Sequence, residues 1–215
     1  ILVGGLQGGG APNWLGSAMG IDVVGNFAYI AAWNDYSFTI VDVSDPAAPV
    51  AVGSIQAGGG LNLWNPVQVK VVLPYAYVTA ESGPGLFIFD VTNPAGPVFI
   101  GSLEGWGAPN FLDGAFGIDI VGNYAYITAR WDDSLTIVDI SNPTQPALIG
   151  YCQGTTIPYR MIVHGNYAYA TTFSSGIKIF DLSNPANPTL VGNCNTSYSR
   201  DICVSGNYAF VAGYS

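Results

Sequence analysis

The chain has 215 residues, 49% hydrophobic and only 9% charged, and its 14 acidic residues against 5 basic ones leave a net charge of −9. That balance excludes a binder of phosphate backbones, which needs clustered Lys and Arg. Gly, Pro or polar residues interrupt every apolar run before it reaches the roughly 18 residues of a membrane helix, and the length suits one all-β domain.

In chain order, Ile1 to Leu6 (ILVGGL) reads as an outer strand, called D here. A loop follows at Gln7 to Gly16, then strand A including Ile21 to Val24, strand B at Phe27 to Ala31, strand C at Phe38 to Val43 and strand D at Val50 to Ile55. β-Branched and aromatic residues in short runs bounded by Gly, Asn and Pro define such strands. The A–B connection is a hairpin: Gly25-Asn26, Gly122-Asn123, Gly165-Asn166 and Gly206-Asn207 suit a two-residue turn, since both residue types tolerate positive φ. Leu73-Pro74 replaces that pair once and requires a different turn, because proline cannot take positive φ.

The same four strands recur. IVDVSDPAAPVAVG, IFDVTNPAGPVFIG, IVDISNPTQPALIG and IFDLSNPANPTLVG place their Asp at 42, 90, 139 and 181, at intervals of 48, 49 and 42. Periods of this size with several short strands signify propeller blades. The fold class is therefore all-β, a β-propeller of about five four-stranded blades in one domain, with units near 7–55, 56–103, 104–152, 153–194 and 195–215 after the strand at 1–6. Asp42, Asp90, Asp139 and Asp181 read as acceptors that cap the C–D turn, not as a metal or catalytic set, because a repeat disperses them one per blade. Strands A and C are apolar on both faces, so blades must stack to bury them.

The last unit has an A–B hairpin and neither C nor D strand of its own. If Ile1 to Leu6 closed the ring there, strand B would keep an unpaired edge. Either the chain is a piece of a longer propeller, or a second chain supplies the missing strand.

FTIVD, LFIFD, LTIVD and IKIFD, each followed by the Ser/Thr-Asn/Asp-Pro turn and preceded by the GNYAY hairpin, resemble the LVIVD repeat over nearly the whole chain. That resemblance implies a propeller-like fold and an extracellular or cell-surface setting. It implies no reaction and no cofactor.

Candidate binding residues lie on the D–A loops. Gln7 to Gly16 carries Trp14, Gly58 to Asn65 carries Trp64, and Glu104 to Asp113 carries Trp106 and Phe111. Aromatics flanked by Gly and Asn either stack on sugars or dock a protein, or fold inward over the blades. Trp33 and Trp131 belong to B–C loops, which leave from the same rim as the D–A loops. Strand A adds Asp22, Lys70, Asp119, Arg160 and Asp201 near a channel entrance, either pairing with one another or holding a polar ligand. His164, the only histidine, precedes a turn Gly and reads as structural. Cys152, Cys194 and Cys203 read as small buried hydrophobes rather than disulfide partners, and no zinc spacing is present. Asn195-Thr196-Ser197 is an N-glycosylation sequon. Together these features predict a surface module that binds protein or glycan partners, with self-association into multimers or fibrils as an extension. The alternative is a hydrolase or lyase acting at the channel. No nucleic acid, metal or membrane span is expected.

Overall fold

The computed structural model describes residues 3–196 and 198–213, and among them every regular element is an antiparallel strand. Blade one is β1 (Ala18–Val24), β2 (Phe27–Ala32), β3 (Ser37–Asp42) and β4 (Val50–Gln56). Blade two is β5 (Pro66–Val72), β6 (Tyr75–Ala80), β7 (Gly85–Asp90) and β8 (Val98–Glu104). Blade three is β9 (Ala115–Val121), β10 (Tyr124–Ala129), β11 (Ser134–Asp139) and β12 (Ala147–Gln153). Blade four is β13 (Pro158–His164), β14 (Tyr167–Thr172), β15 (Ile177–Asp181) and β16 (Thr189–Cys194), and a hairpin of β17 (Ser199–Ser205) and β18 (Tyr208–Gly213) follows. Each blade is a four-stranded meander in sequence order, and the hairpin forms a two-stranded sheet. The fold is of the β-propeller class. The chain divides into two compact units, residues 1–102 and 103–215.

The turns show why the repeat folds locally as it does. Gly25, Gly122, Gly165 and Gly206 have φ of 56–60°, while the Asn after each does not reach positive φ. Only the first central residue is left-handed, as in a type II′ hairpin turn, so Asn contributes less to these turns than expected. Leu73-Pro74 forms the different turn expected of it, with a cis peptide bond. At the C–D turns, Oδ1 of Asp42, Asp90, Asp139 and Asp181 accepts the N–H of Ser44, Thr92, Ser141 and Ser183, each at 2.8 Å. Asp45, Asn93, Asn142 and Asn184 then accept from the residue two positions on. These side chains imitate backbone acceptors and close the turn. Hydrogen bonds from Ser44, Thr92, Ser141 and Ser183 hold all four motif carboxyls below the usual carboxylate range.

Stacking supplies the core. In the first unit, Tyr29, Phe38 and Ile40 of blade one share a buried cluster with Val69, Val78, Phe87 and Phe89 of blade two, and the Phe38 and Phe89 rings lie 4.9 Å apart. In the second unit, Tyr126, Leu135 and Ile137 of blade three pack on Met161, Ala168 and Phe180 of blade four. Burial of such side chains contributes about 1.5–3 kcal/mol each. Strand C is buried along its length in β3, β7 and β11, as expected. Strand A is not uniformly covered: Ile21 and Val23 of β1 are 62% and 56% exposed, whereas β9 is almost wholly buried.

Two expectations need correction. The strand expected over Ile1 to Leu6 is absent where it can be seen: Ile1 and Leu2 lie outside the described residues, and Val3 to Leu6 form no strand. The segment still covers blade one, because Leu6 packs with Ala28, Ile30 and Val41. The cysteines are free thiols, and Cys194 and Cys203 are exposed with Cys152 half-buried. The repeat position shared by Cys152 and Cys194 faces a less covered outer strand in blade four, so it imposes no burial there.

Candidate functional site

The D–A loops of blades one and three are one structure used twice, 97 positions apart. In the first, Oδ2 of Asp35 accepts the N–H of Gly10 at 2.8 Å and of Gly16 at 2.7 Å. In the second, Asp132 accepts the N–H of Gly107 at 3.1 Å through Oδ1 and of Asp113 at 2.8 Å through Oδ2. Asn13 and Asn110 each donate to a loop carbonyl, of Gln7 and Glu104, at 2.7 Å. The carbonyl of Trp14 accepts from Ser37 and Thr39, and that of Phe111 from Ser134 and Thr136. Trp14 and Phe111 both sit at φ 49°, a left-handed conformation unusual for aromatic residues. The Gly-rich stretches are thus fixed cradles tied to the B–C loops, and in each unit the D–A and B–C loops share one rim.

That anchoring sorts the candidate aromatics. Trp14 and Phe111 turn partly inward, and the Phe111 ring stacks on Tyr151 at 3.9 Å. Trp33 is half-buried and donates Nε1–H to Glu81 at 3.2 Å. Trp64 is 42% exposed, edge-on to Tyr36 at 5.0 Å. Trp106 and Trp131 remain open, at 70% and 54% exposure. They flank the Gly107–Asp132 hydrogen bond, which brings their two loops together on the rim of the second unit.

Beside Trp131 lies a feature that the sequence did not disclose. The three arginines of the chain gather on three aromatic rings. Arg130 lies 4.8 Å from the centre of Phe116 and 4.5 Å from that of Tyr159. Arg160 lies 6.0 Å from Phe116, and Arg200 lies 4.7 Å from Tyr159 and 5.7 Å from Phe173. Tyr159 stacks on Phe173 at 6.1 Å, and Tyr198 meets Phe173 edge-on at 5.4 Å. Cation–π attraction holds these guanidinium groups, and Arg130 also donates an N–H to the Tyr159 hydroxyl at 3.3 Å. Burial lowers the pKa of Arg160, and the Asp201 carboxylate opposes that shift. Only Arg160 and Asp201 were among the sequence candidates. A readable signal existed: Arg130 follows the end of a B strand, while Arg160 and Arg200 fall near the start of A strands, positions that share a rim.

Two other strand A candidates, Asp22 and Asp119, are tied to backbone. Asp22 accepts Val71 N–H at 2.7 Å and Asp119 accepts Val163 N–H at 2.9 Å, each clasping the first strand of the next blade. Lys70 is half-buried on β5. His164 ends β13 exposed. Asn195 is exposed and accepts from Asn193 at 2.8 Å, while Ser197 of its sequon lies outside the described residues. On the opposite rim of the first unit, an apolar cleft of about 500 Å³ opens between the turns of blades one and two, lined by Val24, Phe27, Tyr29, Leu73, Pro74 and Val91.

Repeated four-stranded meanders stacked through shared cores define a β-propeller repeat protein. The LVIVD repeat matches residues 15–57, 67–104, 114–154, 160–196 and 197–214, and the chain belongs to that family. No curated protein matches it significantly. Among solved structures, a protein from Lactobacillus plantarum is similar at TM-score 0.75 and 12% identity, over 91% of this chain and 64% of that one. A periplasmic gluconolactonase from Pseudomonas aeruginosa is similar at 0.72 and 12%, over 86% and 55%. A functionally unknown protein from Desulfotomaculum acetoxidans is similar at 0.67 and 15%, over 84% and 57%. The chain thus spans little more than half the length of these structures, and at such identities the likeness concerns the fold alone.

Proposed function

We propose that this chain is a non-catalytic recognition module of an extracellular or cell-surface protein, and that the rim of its second unit binds acidic glycans. The observation that carries the reading is the gathering of Arg130, Arg160 and Arg200 on Phe116, Tyr159 and Phe173 beside the exposed Trp131. In a chain of net charge −9, the gathering of all three guanidinium groups in one place supports recognition of an anionic group there. Exposed Trp106 and Trp131 add flat apolar faces of the kind that stack on sugar rings. Asp22 and Asp119 support binding over hydrolysis, since each commits an oxygen to a backbone N–H.

Calorimetric titration of the chain with a uronic-acid oligosaccharide and with its neutral counterpart tests the reading. The expected result is salt-sensitive binding of the acidic sugar, weakened by Arg200→Ala and by Trp131→Ala, with the sugar recovered unchanged. Equal binding of both sugars, or of neither, overturns acidic-glycan recognition. Release of product overturns the non-catalytic reading. Surface labelling of intact source cells tests the extracellular placement.

A further inference from the structure

The cleft between the turns of blades one and two is built from departures from the repeat. Leu73-Pro74 stands where the other A–B turns carry Gly-Asn, and Phe27 stands where Tyr75, Tyr124, Tyr167 and Tyr208 follow their turns. Both departures line the same space of about 500 Å³, within the range of about 300–1,000 Å³ usual for ligand pockets. Each replaces a small or polar residue with an apolar wall. The turn itself does not require them, because Gly-Asn occupies it in four other repeats. Nor do they alter the scaffold. The Pro74 carbonyl accepts the N–H of Val91 at 2.9 Å, just as the carbonyls of Asn26, Asn123 and Asn166 accept those of Val43, Ile140 and Leu182.

The cleft has a mouth and a floor. Leu73 at the mouth is 58% exposed, while Tyr29 and Val91 are each 2% exposed. Val24 and Phe27 pack on the core that blades one and two share, which fixes the walls. Both walls belong to complete four-stranded sheets. Tyr29 is the polar side chain of the floor, and among the described residues its hydroxyl makes no hydrogen bond. Burial first, and the Asp22 carboxylate second, raise its pKa, so it remains an O–H donor at neutral pH. The same carboxylate, held by the N–H groups of Val23 and Val71 at 3.0 and 2.7 Å, repels an anion. The tyrosine recurs as Tyr77 and Tyr126, so the hydroxyl by itself is a feature of the repeat. What sets this place apart is the apolar wall around it.

We propose that the cleft is a binding site for a small uncharged molecule, apolar over most of its surface and carrying one hydrogen-bond acceptor that takes the Tyr29 O–H. The apolar body lies against Val24, Phe27, Leu73 and Pro74, and the acceptor points to the floor. An acceptor there satisfies a donor that the chain leaves unmet. The cleft lies in the first unit and the three arginines in the second, so this site and the acidic-glycan reading fail independently.

Prodan, an uncharged naphthalene ketone whose emission shifts to the blue in apolar surroundings, is the probe, and anilinonaphthalene sulfonate is its anionic counterpart. Fluorescence titration of the 215-residue chain should show saturable one-to-one binding of prodan, with the anion at least about tenfold weaker. Tyr29→Phe keeps the ring and removes the donor. Its thermal stability should hold while prodan affinity falls about three- to tenfold, the worth of one hydrogen bond. Leu73→Gly combined with Pro74→Asn restores the pair found in the other turns and removes the wall, so this variant should fold and lose most of the binding. Absence of saturable prodan binding, equal binding of the anion, or full affinity in either variant overturns the proposal. So does a dimer in light scattering that the double variant converts to a monomer, which would make a second copy of the chain the occupant.

Discussion

Oδ2 of Asp119 accepts the backbone N–H of Val163 at 2.9 Å, joining the first strand of blade three to the first strand of blade four. Asp22 and Val71 repeat the relationship between blades one and two at 2.7 Å. Neighbouring first strands do not exchange ladder bonds in these sheets, so a carboxylate supplies the acceptor that the N–H lacks. Hydrogen bonds to charged groups contribute about 1.5–3 kcal/mol each, and Asp119 is 8% exposed while Asp22 is half-buried. Asp119→Ala should therefore lower the denaturant midpoint, and Asp22→Ala should do so less. Asp119→Asn keeps one acceptor where the carboxylate uses two, Oδ1 for Ile120 N–H and Oδ2 for Val163 N–H, so it should recover only part of the loss. Urea unfolding of the three variants followed by far-UV dichroism measures this ordering.

Asp113 gives a prediction of opposite sign. Burial raises its carboxyl pKa first, and the neighbouring Asp132 carboxylate adds to the shift against a hydrogen bond from Gly114. One of its oxygens, Oδ1, is buried without a hydrogen-bond partner. The folded state thus holds this proton to higher pH than the unfolded chain, whose Asp titrates near about 3.9. Stability from this site falls as pH rises from that value through the raised folded one. Asp113→Asn should raise the melting temperature at neutral pH and have little effect under acid conditions. Blade one carries Gly16 at the same place, so Asp113→Gly tests whether the cradle needs a side chain there. A melting temperature unchanged by Asp113→Asn across pH would contradict the account.

The repeat made the fold legible and left the site largely hidden. Strand identity, blade period and the capping role of Asp42, Asp90, Asp139 and Asp181 follow from local chemistry, and tandem recurrence removes the ambiguity of any one copy. Side-chain fate on the loops does not follow in this way. Trp14 and Trp106 sit among similar Gly, Pro and Asn neighbours, yet Trp14, its backbone carbonyl held by Ser37 and Thr39, is half-buried while Trp106 is 70% exposed. The arginine cluster was harder still, because Arg130, Arg160 and Arg200 come from three different repeats at different alignment positions. Cys194 misled because the repeat fixes a position in a strand, while burial depends on whether a further element covers that strand.

The four turn aspartates make an acid-sensitive contribution. Hydrogen bonds from Ser44, Thr92, Ser141 and Ser183 lower their pKa in the folded state. A depressed carboxyl contributes stability that is present above the unfolded pKa, about 3.9, and lost as pH falls through the lower folded value. Because the groups are solvent-exposed, screening keeps each effect small. Replacing all four by Asn preserves an Oδ1 acceptor and removes the titration. The quadruple variant should lose less stability than the parent as pH drops below about 4. Parallel thermal melts at several pH values give the difference, and parallel slopes for the two proteins would count against it.

Exposure of Cys194 and Cys203, with Cys152 half-buried, predicts the order of thiol chemistry. Access and thiolate fraction together set the rate of alkylation. Cys194 and Cys203 should react with a maleimide in the native protein before Cys152 does, and unfolding should level the three. Mass spectrometry of partially labelled peptides reads the order directly. Faster labelling of Cys152 would mean that the outer strand β12 is more open than β16.

Gly150 is the seat on which blade three receives the turn of blade four, and Ala there would press its methyl on the backbone of Pro185 and Ala186. Backbone cannot rotate away as a side-chain end can, so the turn and its blade must shift as a body. Overpacking of this kind costs roughly 1–3 kcal/mol. Gly53→Ala should cost a similar amount through Pro94 and Ala95. Because stacked repeats couple chiefly to their neighbours, Gly150→Ala should loosen blades three and four and leave blades one and two intact. Hydrogen exchange resolved by peptide should show faster exchange at β11, β12 and β15 in that variant, and at β3, β4 and β7 in Gly53→Ala. Uniform loosening of all blades by either variant would show that the propeller unfolds as one cooperative unit rather than blade by blade.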